Sequence, residues 1–205
     1  MLKTWRVPGE LGKSFCEEIH VWPVRLELPG GGGCTLWGDA LRGDDILLAA
    51  ANRLVLAPTI AALIQFVLAE PSVNFLGRHG YDRLRAALSD GAQFASTVAT
   101  LHALAALPAW IRADPDDWTH SEISNAINTL NMAWDVGRTI HDPATVASLK
   151  RGGGPLGEFV DALYEAAGIL DEPHDIDFVT EFDLDGLADE LDAVLARIEN
   201  RTHRL

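Results

Sequence analysis

Thr119 and Glu122 stand three residues apart, directly ahead of Ile123, Ile127, Leu130 and Trp134. A Thr answered by Glu at the third position is a capping box, and apolar residues three or four apart share one helical face. The chain must therefore hold an amphipathic helix of about four turns past its midpoint. Similar signals follow it. Asp142-Pro143 opens a short helix, Lys150 to Gly154 interrupts, and Pro155 to Ala167 turns Leu156, Phe159, Val160 and Leu163 inward. A final helix from about Gly186 to Asn200 shows the stripe Leu187, Leu191, Val194, Leu195 and Ile198.

The other half reads less uniformly. Ile19 to Leu28 partly alternates and is broken by Pro29 and Gly30 to Gly33 before Cys34-Thr35-Leu36-Trp37, the pattern of a β-hairpin with Pro23 suited to an edge strand. From Asp44 the pattern reads as helical. Asp44 or Asp45 caps a helix that stops before Pro58, and Pro58 begins another that ends near Glu70-Pro71. Tyr81 to Ser89 and Ala92 to Leu107 read as two more, parted by Asp90-Gly91. With 205 residues, 48% of them hydrophobic, the chain can bury a real core. The fold expected is mainly α: a single-domain bundle of about seven helices with a small N-terminal β-hairpin. Residues 1–42 form the hairpin segment, packed on a helical domain at 43–205 whose stretch 171–192 is acidic.

Two cysteines are too few for a disulfide framework, and the first ten residues lack an apolar leader core, so a cytoplasmic protein with reduced thiols is expected. The two most apolar stretches, Ile46 to Ala69 and Gly91 to Ile111, are interrupted by Asn52, Arg53 and Pro58 and by Gln93, His102 and Pro108. Both suit buried helices better than membrane spans.

Charge divides the chain. Residues 1–110 hold ten acidic and nine basic side chains, whereas residues 111–205 hold twenty and seven, and the whole carries −14. Direct binding to a nucleic-acid backbone is thereby disfavoured. Asp171 to Asp192 contains ten carboxylates and no Lys or Arg. Their mutual repulsion has to be relieved by solvent, a cation or a basic partner.

Several patterns in this background carry chemistry. From Glu181 to Asp192, oxygen ligands fall at positions one, three, five, nine and twelve with Gly186 at the sixth, which resembles an EF-hand calcium loop and implies calcium at Asp183 and Asp185. The competing expectation is that Asp183 or Asp185 caps the last helix, with Asp189, Glu190 and Asp192 complementing its dipole. Cys16, His20 and Cys34 offer thiolate and imidazole ligands for zinc if the hairpin returns Cys34 beside the other two. His102 with His141-Asp142 resembles the HD phosphohydrolases, which implies divalent metal and activated water, and Arg197 with His203 is similar to the spacing of HEPN-type ribonucleases. The glycine runs Gly30 to Gly33 and Gly152 to Gly154 lack a following Lys-Ser/Thr and read as turns.

The function expected from this balance is a non-catalytic acidic protein-interaction module, an inhibitor or adaptor of immunity type or of a phage anti-defence type that imitates nucleic-acid phosphates. Its partner would be a basic protein such as a nuclease, toxin or nucleic-acid-binding effector. Asp171, Glu172, Asp175, Asp177, Glu181, Asp183, Asp185 and Asp189 would stand in for the phosphate row, with Trp118, beside Asp116 and Asp117, as an exposed aromatic anchor. Homodimerisation through a helical face is compatible with the pattern. The alternative is a metal-dependent hydrolase or nuclease using His102, His141 and Asp142, or His174 with the acidic segment.

Overall fold

A computed structural model describes residues 10–40, 44–75, 77, 79–95, 99–169 and 176–205. The chain divides into two compact units, one drawn from residues 1–26, 32–101 and 203–205, the other from residues 27–31 and 102–202.

The first unit is built on strands. After β1 (Glu10–Leu11) and the short helix α1 (Lys13–Ile19), the hairpin forms as expected from β2 (Val21–Leu28) and β3 (Gly31–Ala40). Pro23 does not lie on an edge, because β2 sits between β3 and the three-residue β8 (Thr100–His102) in a sheet ordered β4-β3-β2-β8. The strand β4 (Asp44–Leu47) runs antiparallel to β3, with Trp37 opposite Leu47 and Gly38 opposite Ile46.

The helix expected from Asp44 to Pro58 is absent, and its place is taken by β4, β5 (Ala49–Ala50) and β6 (Arg53–Leu56). Ala51 and Asn52, with φ of 50° and 60°, form a two-residue turn with both centres left-handed, and Ala50 pairs with Arg53 across it. Such a turn matches the twist of the strands it joins, so an Ala-Leu-rich run becomes a hairpin instead of a helix. A second correction concerns Ala92 to Leu107. There the chain forms β7 (Gln93–Phe94), parallel to β1, then β8 and a 3-10 turn at Leu104–Ala106. A third sheet, β5-β6-β9, takes its last strand from Thr202–Arg204.

With three sheets among the described residues, the architecture is mixed α and β, and the expected mainly α helical bundle is overturned. The helices α2 (Ile60–Ala69), capped by Thr59 accepting from the Ala62 N–H at 3.1 Å, and α3 (His79–Ser89) supply Leu63, Val67, Tyr81 and Leu84 to the core around Leu36, Leu48 and Val55.

The second unit is helical. It comprises α4 (Leu107–Ile111), α5 (His120–Thr139), α6 (Pro143–Leu149), α7 (Pro155–Ala166), α8 (Phe178–Glu181) and α9 (Leu184–Asn200). The capping box forms as expected: the Thr119 hydroxyl accepts from the Glu122 N–H at 3.2 Å, and the Glu122 carboxylate accepts from the Thr119 N–H at 2.8 Å. The Glu122 carboxyl is held below its ordinary range by the hydrogen bonds it accepts from the Thr119 hydroxyl, at 2.7 Å, and from the Thr119 N–H. Where α5 passes α6, a methyl group on Gly137 would stand 2.5 Å from Thr145 Cγ2, so the approach is one only glycine permits. No helix among the described residues is long and apolar enough to cross a membrane.

Candidate functional site

The acidic stretch is best followed along α8 and α9. Asp171, Glu172 and Asp175, like His174, lie outside the described residues. Asp177 is exposed and caps α8, accepting from the Thr180 hydroxyl at 2.7 Å and from its N–H at 3.1 Å; these bonds hold its carboxyl below the usual range. Asp183 caps α9 by accepting from the Gly186 N–H at 3.1 Å. Because α9 is helical from Leu184, most of the stretch that resembles an EF-hand is not a loop, and Gly186 marks no turn.

Beyond the cap, the carboxylates of α9 divide by helical spacing. Asp185, Asp189 and Asp192 share one stripe. Arg112, at the C-terminal end of α4, lies across it, with Nε 3.7 Å from Asp185 and Nη2 2.6 Å from Asp189 and 3.4 Å from Asp192. The pairs are solvent-facing, Asp185 being 88% exposed, so they order the surface more than they hold the fold.

Glu190 belongs to a different stripe, seven residues after Asp183. It borders a groove of about 330 Å³ between the first turns of α7 and α9. Pro155 and Glu158 come from α7, Glu181 and Phe182 from the end of α8, and Asp183, Leu187 and Glu190 from α9. Four of these side chains are carboxylates and none is basic. Each helix N-terminus contributes roughly half a positive charge, which leaves a potential of about three negative charges over the groove.

Phe182 is half-buried. It is the outermost ring of an aromatic series, with centroids 5.5 Å from Phe159 and 5.9 Å from Phe178. Trp118 lies deeper in that series, stacked on Trp110 at 4.2 Å and 5.3 Å from Phe178. It is half-buried, so the exposed anchor expected at Trp118 is not found there; the groove's aromatic is Phe182. Neither Phe182 nor Glu158 was foreseeable from local pattern, since Phe182 reads as one more apolar residue and Glu158 sits on another helix. Glu190 could have been found from its helical spacing to Asp183.

The remaining candidates are dispersed. Cys16 and Cys34 are buried free thiols in the first unit, and burial raises both pKa values, that of Cys16 to about 11. His20 is exposed at the left-handed end of α1, with φ of 54°. His141 and Asp142 point to different environments: His141 is exposed, while Asp142 is buried, accepting from the Thr145 hydroxyl at 2.6 Å with Arg197 Nε 3.5 Å away. A guanidinium thus stands where the HD resemblance implies a metal. His102 lies on β8, not on a helix, and burial lowers its pKa. Arg197 is on α9, engaged with Asp142 and Thr145, and His203 is on β9. Among the described residues, no group of three or more His, Cys, Asp or Glu is spaced to hold a metal ion.

The family model of the SatS C-terminal domain matches residues 21–199. A crystal structure of a SatS C-terminal domain in complex with bromine superposes with a TM-score of 0.68 at 18% identity, over 94% of this chain and 98% of that one. At that identity the likeness concerns the fold. No curated protein matches.

Proposed function

The chain belongs to the SatS C-terminal domain family, and we propose that it acts as a non-catalytic acidic protein-interaction module, an inhibitor or adaptor that docks on a basic partner surface. One observation carries this reading: among the described residues, the carboxylates of α8 and α9 outnumber the cations near them, with Arg112 pairing to three and no Lys or Arg lining the groove. Clustered like charges repel, and a cationic surface placed against them relieves the repulsion while speeding encounter and rejecting acidic competitors. The partner class is a nuclease, toxin or nucleic-acid-binding effector, whose basic face would meet carboxylates in place of phosphates. Free buried thiols accord with a reducing cytoplasm.

Affinity capture with the wild-type chain and a Glu181→Lys/Asp185→Lys/Asp189→Lys/Glu190→Lys variant tests the proposal. Basic proteins should be retained by the wild type at low salt, shed at high salt, and not retained by the variant. Capture of the same proteins by both chains at both salt levels would contradict it.

A further inference from the structure

The geometry points to the groove between the first turns of α7 and α9 as the seat of one arginine or lysine side chain from a basic segment of a partner protein. This rests on the docking function proposed above and says where on the surface docking is read out. Three features converge. The volume, about 330 Å³, is at the lower end for ligand sites and suits a long side chain with a little water better than a folded surface. The apolar lining from Pro155, Phe182 and Leu187 matches the methylene stem of such a side chain. The carboxylates of Glu158, Glu181, Asp183 and Glu190 match its charged head.

The sign of the charge could have gone the other way, because two helix N-termini open on the groove and helix N-termini favour anions. Their combined pull is about one positive charge against four carboxylates, so the cation wins. An aromatic ring separates an organic cation from a metal ion. Phe182 packs its inner side on Phe159 and Phe178 and presents the remainder to the groove, where a guanidinium or ammonium gains a cation–π contact. A hard divalent cation draws nothing from a phenyl ring or a proline. The Arg112 stripe supplies an internal precedent, since the carboxylates of the same helix already hold a guanidinium at 2.6 Å.

Fluorescence anisotropy of labelled hexa-arginine with the full chain tests the assignment. At low salt the wild type should bind, Glu181→Gln/Glu190→Gln should weaken binding at least tenfold, and Asp185→Asn/Asp189→Asn should change it less than twofold. Phe182→Ala should also weaken it; if that variant fails to fold, Phe182→Leu keeps the apolar contact, removes the ring face, and should lose about threefold. Binding that ignores Phe182, Glu181 and Glu190 but falls with Asp185→Asn/Asp189→Asn would overturn the groove while leaving the docking function standing. No binding of hexa-arginine by the wild type would overturn both. Amide shifts at Glu181, Asp183 and Glu190 produced by calcium, and not by the peptide, would replace the side-chain occupant with a metal.

Discussion

Two sets of carboxylates in the helical unit differ in what already answers them. Asp142, Asp177, Asp183 and the Asp185–Asp189–Asp192 stripe each meet a partner within the chain: a threonine and an arginine, a helix end, or Arg112. Glu158, Glu181 and Glu190 face the groove, where no basic side chain among the described residues lines the wall. The first set accounts for local structure. In the second set Glu158 stands in the first turn of α7, whose dipole answers part of the charge, and the net negative, partly apolar groove that remains is the kind of surface that a cationic ligand completes.

Stability should separate the two sets most sharply at Asp142. Asp142→Ala leaves the Thr145 hydroxyl without its acceptor and Arg197 without its carboxylate partner, and should cost about 2 kcal/mol in urea unfolding, whereas Glu190→Gln should stay within about 0.5 kcal/mol. Equal losses would erase the distinction. Asp183 belongs to both sets and sharpens it. Asp183→Ala should lose about 1 kcal/mol together with peptide affinity, while Asp183→Asn keeps the cap, so it should lose affinity with little change in unfolding.

Smaller effects follow. Arg112→Gln releases three carboxylates, so calorimetry with hexa-arginine should show a second binding event that the wild type lacks, and the melting temperature should fall slightly at low salt but not at high salt. The smallest effect concerns Asp177. Its carboxyl is held below its ordinary value by Thr180, so its contribution is present above that ordinary value and is lost as pH falls through the lower, folded one. Thr180→Val should remove the hydroxyl's share of this contribution and keep that of the backbone N–H, narrowing the stability gap to wild type as the solution is acidified below about pH 4.

Legibility in the sequence tracked the range of the interactions. The Thr119–Glu122 box and the stripe of α9 are decided within a few residues and could be read directly. So could Asp183 as a cap. Asp44 to Pro58 could not, because its Ala and Leu content favours helix locally while pairing across β3, β5 and β6 decides the outcome; the left-handed pair Ala51-Asn52 gives no strong signal without a glycine. The acidic run marked three of the groove's four carboxylates. The fourth, Glu158, arrives from α7, and Phe182, though inside the run, is placed by the aromatic series that also holds Trp118. Arg112 is 77 residues from Asp189, so the division of α9 into answered and unanswered stripes exists only once α4 and α9 are folded together.

The most direct test of that division is one titration performed on two triple variants. Hexa-arginine should bind Asp185→Asn/Asp189→Asn/Asp192→Asn nearly as tightly as wild type, and should lose at least tenfold on Glu158→Gln/Glu181→Gln/Glu190→Gln, with both proteins melting close to wild type. Equal weakening by the two variants would mean that net charge alone governs binding, and the claim that the groove is the unanswered site would be contradicted.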